Sequence, residues 1–172
     1  MFLYFPALNL NDLTIRCYTD ASYGNLSDGG SQGGYYLELV SEHNSAPLDW
    51  QSKRLFRTPH SSLAAETISM VEGLESAILM REIVSEILLI DRNRIPIEAI
   101  TDCFSLFEAA QSTTSLRDKR LRIEMAILRE SLTRNEFKMK WINTKLQIAD
   151  ALTKADSDPR SLITQITGKH VN

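Results

Sequence analysis

The sequence predicts an α/β domain built on a five-stranded mixed sheet flanked by helices. Two observations set this architecture. The first fifty residues hold three strand-like runs with turn chemistry and no helical spacing between them, which suits consecutive antiparallel strands. From Ser61 the apolar spacing turns helical, and later strand-like runs are then reached through helical crossovers, which gives a mixed sheet. A third observation bounds the domain count: 172 residues with 43% apolar composition suffice for one sizeable core. A single domain is expected over 1–172, with its core at about 13–155.

The first strand is expected at Leu13 to Tyr18, rich in β-branched and aromatic residues, running into Thr19 and Asp20 at an exposed strand end. The loop ASYGNLSDGGSQGG follows and leads to a second strand, Tyr35 to Val40, and a third, Ala46 to Gln51. Ala64, Ile68, Val71, Leu74 and Ile78 recur at helical spacing, predicting a long helix from a Ser-Ser start to about Leu89. IPIEAITD reads as a fourth strand, SLFEAAQ as a short helix and DKRLRIEMAILRESL as a longer one. FKMKWI reads as a fifth strand and LQIADALTK as a final helix, with Thr144 and Gln147 at capping-box spacing. The tail after Ala155 is too short for another domain.

Composition excludes several classes. No apolar run approaches the ~18 residues of a membrane span, and the start lacks a basic n-region and a cleavage site, so an intracellular protein with no membrane partner is expected. Two cysteines, Cys17 and Cys103, suit buried thiols in a reducing compartment better than a disulfide framework. A net charge of −3 argues against nucleic-acid binding by bulk attraction, which shifts attention to local basic clusters: Lys53, Arg54 and Arg57, and Arg117, Lys119, Arg120 and Arg122. A solvated face is the plain explanation of either cluster. There is no HExxH helix, no Walker loop and no Cys or His cluster, and DGGSQGG leads to a strand, not to a helix.

Four carboxylates stand out, each with an ordinary alternative. Asp20 could cap a turn before the Ser- and Gly-rich loop. Glu66 lies in line with Met70, Gly73, Ala77 and Val84 on an otherwise apolar or small ridge; its alternative is a first-turn acid favoured by the helix dipole. With Ser62 as N-cap, the capping-box position falls on Ala65 and not on Glu66. Asp102 closes a strand and could cap the next helix. Asp150 lies inside the last helix and could pair at the surface with Lys154.

Their joint placement favours function. In order 3-2-1-4-5, strands one and four are neighbours, so Asp20 and Asp102 project from adjacent strand ends, and helices there can bring Glu66 and Asp150 beside them. Four clustered carboxylates repel one another unless cations neutralise them, and hard oxygen donors suit Mg²⁺ or Mn²⁺. Two such ions at roughly 3.5 to 4 Å can clamp the attacking and leaving oxygens of a phosphodiester.

The motifs YTDAS, SQGGYY, PLDWQSKR, SSLAAET, ITDCFSL and QIADALTK resemble the ribonuclease H domain of copia-type LTR retrotransposon polyproteins, over nearly the whole chain. ADALTK and the WQSKR-to-AAET block are the more specific parts; TDAS alone is weak. The resemblance implies a ribonuclease H-like fold and an endonuclease that hydrolyses the RNA strand of RNA–DNA hybrids with two Mg²⁺ ions, for which Mn²⁺ can substitute. It maps an acidic tetrad onto Asp20, Glu66, Asp102 and Asp150. By that likeness Asp20 contacts both metals, Asp150 helps hold the ion that activates water, and Glu66 and Asp102 help hold the other. Ser22, Gly24, Asn25 and Ser105 become candidates for reading 2′-hydroxyls, and Lys53, Arg54, Lys119 and Arg120 for holding phosphates. A reverse transcriptase domain of the parent polyprotein is the implied partner that delivers the hybrid.

Cellular ribonucleases H carry a histidine in a loop before the last acid. Here WINTKLQIAD has none, and His43, His60 and His170 lie elsewhere, which implies slower turnover. Two rivals remain: an inert module that binds nucleic acid or a protein partner through the same fold, and a DNA-cutting nuclease of the resolvase or transposase kind. The intact tetrad argues against the first and ADALTK against the second.

Overall fold

The computed structural model describes residues 3–42, 44–114, 116 and 118–168. Its strands are β1 (Thr14–Ser22), β2 (Gln32–Ser41), β3 (Asn44–Arg54), β4 (Ile97–Thr101) and β5 (Lys138–Trp141). Its helices are α1 (Ser62–Leu88), α2 (Phe104–Gln111), α3 (Lys119–Thr133), α4 (Asp150–Thr153) and α5 (Arg160–Thr167). The sheet order is β3-β2-β1-β4-β5, as the sequence predicts. β1 pairs antiparallel with β2, and β2 with β3, whereas β4 pairs parallel with both β1 and β5.

Strand alternation decides which face each residue serves. Leu13 just before β1, Ile15 and Cys17 of β1, and Tyr35, Leu37 and Leu39 of β2 belong to the main core, with Met70, Val71, Leu74 and Ala77 of α1 packed on them. The close approach of α1 depends on Gly73: a Cβ there would lie 2.7 Å from Thr19 Cγ2 and 2.9 Å from Cys17 Sγ. The opposite face holds a smaller cluster in which Tyr36 packs with Leu162 and Ile166 of α5.

The adjacent glycines of SQGGYY divide between these faces. A Cβ on Gly33 would meet Leu55 and Ser69 on the α1 side, and one on Gly34 would meet Leu152 and Thr153 of α4. The motif therefore lets helices close on both sides of β2 at the same level. It does more than punctuate a turn.

The structure revises several local expectations. β1 runs through Asp20 to Ser22, so Asp20 is within the strand and 1% exposed, not at an exposed terminus. Pairing with Gly34 of β2 extends the strand there. α1 is capped by Ser61, whose side chain accepts from the Ala64 amide at 3.1 Å, so the cap lies one residue before Ser62. The expected last helix is divided: a 3-10 turn at Thr144–Leu146, capped by Asn143, precedes the single turn of α4. Thr144 and Gln147 form no capping box, because the Gln147 side chain donates through Nε2 to the Thr19 carbonyl at 3.0 Å and accepts at Oε1 from the Ala149 amide at 3.3 Å. α5 has no counterpart in the sequence-based reading. Its two buried anchors, Leu162 and Ile166, are spaced one turn apart in a short amphipathic segment ended by Gly168 in the left-handed region.

Both cysteines are free, Cys17 fully buried and Cys103 half-buried. No helix among the described residues is long and apolar enough to cross a membrane.

Candidate active site

The register of the sheet assembles the acids. β1 and β4 run parallel as neighbours, pairing from Ile15 with Ile97 to Tyr18 with Ile100, so Asp20 and Asp102 lie at the same end of adjacent strands. Asp102 follows the last residue of β4, and α2 begins at Phe104 with Cys103 at its N-cap and no side-chain cap bond. The capping explanation of Asp102 therefore fails, and its carboxylate is free to face the cluster. Its backbone carbonyl accepts from Trp141 Nε1 at 2.9 Å, which ties the end of β4 to β5. Trp141 in turn stands edge-on to Phe104, with ring centroids 5.8 Å apart.

α4 carries Asp150 and is held to the strand beside it. Thr153 Oγ1 donates to Asp20 Oδ2, and Asn25 Nδ2 donates to the Thr153 carbonyl at 3.1 Å. Gln147 bonds the backbone of Thr19, so the segment before α4 is tied to β1 as well. From the other direction, Ser69 of α1 donates to the Asp20 carbonyl at 2.8 Å and accepts from the Gly34 amide at 3.2 Å. Asp20 is thus fixed at backbone and side chain by two helices.

The result is a triplet: one carboxylate oxygen each from Asp20, Asp102 and Asp150 lie within 4.8 Å of one another. The fourth predicted acid, Glu66, stands outside this triplet but near enough to Asp20 and Asp102 to be repelled by them. It is 8% exposed and sits in the second turn of α1, which has no acidic residue in its first turn, so the helix-dipole explanation does not apply. Burial raises the Glu66 pKa most, and repulsion from Asp20 and Asp102 adds to it, bringing it to about 9 despite a backbone hydrogen bond from Ala21. Its Oε2 is buried with no hydrogen-bond partner. An orphaned carboxylate oxygen beside three converging carboxylates is the environment a hard cation would relieve, and the oxygen-only donor set fits Mg²⁺ or Mn²⁺.

Lys154 belongs to the same cluster. Its Nζ lies 2.7 Å from Asp150 Oδ1 and 3.3 Å from Asp20 Oδ1. Burial opposes the ammonium charge, but the Asp150 hydrogen bond and the attraction of Asp20, Asp150 and Asp102 outweigh it and raise the Lys154 pKa. Burial likewise raises the Asp150 pKa, with Asp20 and Asp102 adding to it and Lys154 opposing. The sequence offered Lys154 only as a surface partner of Asp150, because helical spacing shows the i,i+4 neighbour and not the strand beneath it. Thr153 and Ser69 gave no signal beyond being polar, and Gln147 signalled only a cap.

The weaker candidates fall into two groups. Ser22, Asn25, Asp150 and Lys154 line one open cleft of about 530 Å³, and Gly24, with φ of 64°, donates its amide to Ser31 Oγ in the same loop. Ser105 is exposed on α2, 3.3 Å from Cys103 Sγ. The basic residues are internally paired: Lys53 with Glu72 at 3.3 Å, Arg54 with Asp28, Arg57 with Glu124, and Arg120 with His60 at 3.1 Å. Lys119 is exposed at the start of α3. Arg117, His43 and His170 lie outside the described residues.

Comparison with solved structures agrees with this architecture. The chain is similar to ribonuclease H1 of the archaeon Halobacterium salinarum, with a TM-score of 0.56 and 19% identity over 81% of this chain and 94% of that one. It is similar to LC11-RNase H1, solved with an RNA/DNA hybrid (the protein was isolated from compost), with a TM-score of 0.57 and 15% identity over 81% and 93%. A foamy viral protease–reverse transcriptase, also solved with a hybrid, matches with a TM-score of 0.58 and 12% identity over 87% of this chain and 21% of that one. No family model matches the chain, and neither does any curated protein. At these identities the likeness establishes the fold: a five-stranded mixed sheet of the ribonuclease H type.

Proposed function

We propose that this chain is an endonuclease that hydrolyses the RNA strand of RNA–DNA hybrids, using Asp20, Glu66, Asp102 and Asp150 to hold two Mg²⁺ ions, for which Mn²⁺ can substitute. The observation that carries the reading is the convergence of three carboxylates within 4.8 Å beside the buried Glu66, on a ribonuclease H-like fold. The hybrid-bound structures of two fold neighbours support the substrate class. The motifs YTDAS, SSLAAET and QIADALTK support an origin as the ribonuclease H domain of a copia-type retrotransposon polyprotein, or a protein derived from one, with a reverse transcriptase domain as its partner.

The chemistry divides between ions and chain. Bound divalent cations lower the pKa of a water and stabilise charge on the phosphate in the transition state. The chain's own part is positioning. β1 and β4 present Asp20 and Asp102 from one sheet end, Thr153 orients the Asp20 carboxylate, and Trp141 fixes the carbonyl of Asp102. Glu66 supplies a fourth carboxylate that is protonated at neutral pH when no cation is present, so loading the site expels a proton. Ser22, Gly24, Asn25 and Ser105 are the candidates to meet the minor groove, where 2′-hydroxyls distinguish RNA from DNA. Lys119 can hold a phosphate directly, and Lys53, Arg54 and Arg120 can do so after exchanging their internal partners for it.

The test offers labelled RNA–DNA hybrid, RNA duplex and DNA duplex to the protein, with Mg²⁺ and with chelator, alongside Asp102→Asn. Hybrid cleavage that needs Mg²⁺ and is lost in D102N is the expected result. Wild type and mutant equally inert on hybrid, yet binding it equally well, would establish a binding module instead. Cleavage of DNA duplex alone would assign the site to DNA.

A further inference from the structure

Both side-chain oxygens of Asp20 are already engaged. Oδ2 accepts from Thr153, and Oδ1 lies 3.3 Å from Lys154 Nζ, which also bonds Asp150 Oδ1 at 2.7 Å. Among the described residues, Lys154 is the one basic side chain that forms ion pairs with these acids. Asp20 is 1% exposed, so the ammonium is its charge partner where solvent screens least. The lysine is nevertheless 38% exposed and opens onto the cleft lined by Ser22, Asn25, Ala155, Asp156 and Ser157. Its side chain therefore borders open solvent.

We infer that Lys154 is a tethered internal counterion of the acidic cluster: it pairs with Asp20 and Asp150 before a divalent cation arrives and is displaced when one binds. This inference rests on the cluster being the cation site proposed above. Three converging carboxylates without a counterion would push apart, and one ammonium bridging two of them keeps the donor oxygens gathered. Displacement then sets a threshold. A monovalent ion brings no more charge than the ammonium it must replace, and the tether gives that ammonium an effective concentration in the millimolar range or above. A divalent ion brings twice the charge and can engage several oxygens together. Lys154 therefore biases the site against Na⁺ and K⁺ as well as competing with Mg²⁺.

The test is calorimetric titration of Mn²⁺ into the full chain at fixed pH and ionic strength, comparing wild type with Lys154→Met, Lys154→Arg and Asp102→Asn. Methionine keeps most of the apolar stem and removes the charge. K154M is expected to bind Mn²⁺ on the order of fivefold more tightly than wild type. In chelator its melting temperature should fall, because the buried carboxylate has lost its partner. K154R should restore both values toward wild type. K154Q serves the same comparison if K154M does not yield folded protein. Unchanged or weaker Mn²⁺ affinity in the charge-removed variant overturns the inference. D102N separates the two levels: if it weakens Mn²⁺ binding while K154M changes nothing, only the counterion role falls, and if D102N also changes nothing, the cation site itself is wrong.

Discussion

Replacing Glu66 with glutamine separates the cost of assembling the acidic cluster from its use. In the unfolded chain Glu66 ionises near the ordinary 4.5, whereas in the folded, cation-free protein its pKa is about 9. At about pH 7 folding must therefore load a proton onto this carboxyl, across a gap of about 2.5 in pH, which costs about 3 kcal/mol. Glutamine has nearly the same shape and is neutral in both states, so cation-free E66Q should be more stable than wild type by about 1 to 3 kcal/mol. The lower figure allows for an amide group that must find partners in a buried place. The sign follows from linkage: the folded state holds the extra proton, so wild-type stability falls as pH rises from about 4.5 to about 9, and E66Q lacks that slope. Urea denaturation in chelator, followed by circular dichroism at about pH 5 and about pH 8.5, measures the difference. The advantage of E66Q should be small at the lower pH and large at the higher one. Saturating Mg²⁺ should reduce or reverse it, because the cation stabilises ionised Glu66 and cannot do so for the amide. E66Q less stable than wild type at the higher pH in chelator, or an advantage independent of pH, would refute the reasoning that burial and like charge strain this residue.

Two further substitutions test how the site is positioned. A Cβ added by Gly34→Ala would lie 2.8 Å from Leu152 Cβ and 3.0 Å from Thr153 Cγ2, so α4 must shift and carry Asp150 with it. A loss of about 1 to 3 kcal/mol in stability is expected, with a proportionally larger loss in hybrid cleavage, and a variant equal to wild type in both would show that α4 is not seated by this contact. Trp141→Phe keeps an aromatic edge near Phe104 but removes the donor to the Asp102 carbonyl. It should cost about 1 kcal/mol in denaturant melts and lower kcat more than it raises KM; an unchanged kcat would mean that β4 alone holds Asp102.

The order of elements was legible because it rests on patterns that survive averaging: period-two runs, helical spacing and turn chemistry. Boundaries near the site were not. Leu13 to Tyr18 reads as a strand on its own side chains, but the strand continues through Asp20 because Gly34 of β2 pairs with it, and that partner lies across a loop. The capping-box spacing of Thr144 and Gln147 was a genuine local signal, overridden when Gln147 found the Thr19 carbonyl across the fold. α5 escaped notice because two buried residues in eight give little periodicity, and its partner Tyr36 is more than a hundred residues away. Glu66 was legible as a carboxylate on a packing ridge, and Met70, Gly73, Ala77 and Val84 along that ridge are all buried.

By itself the sequence determined the chemical inventory and the coarse topology. It held four carboxylates in four separate elements, an antiparallel meander followed by helical crossovers, and no donor set for zinc or nucleotide. Those follow from composition and period, which each segment carries locally. Only the tertiary structure decided which acids meet, that burial and like charge push the Glu66 pKa up, and that Lys154 bridges Asp20 as well as Asp150. The physical reason is that electrostatics between side chains depends on distance through space and on exclusion of water, and residues 20, 66, 102, 150 and 154 acquire both only when β1 and β4 pair and α1 and α4 close over their ends.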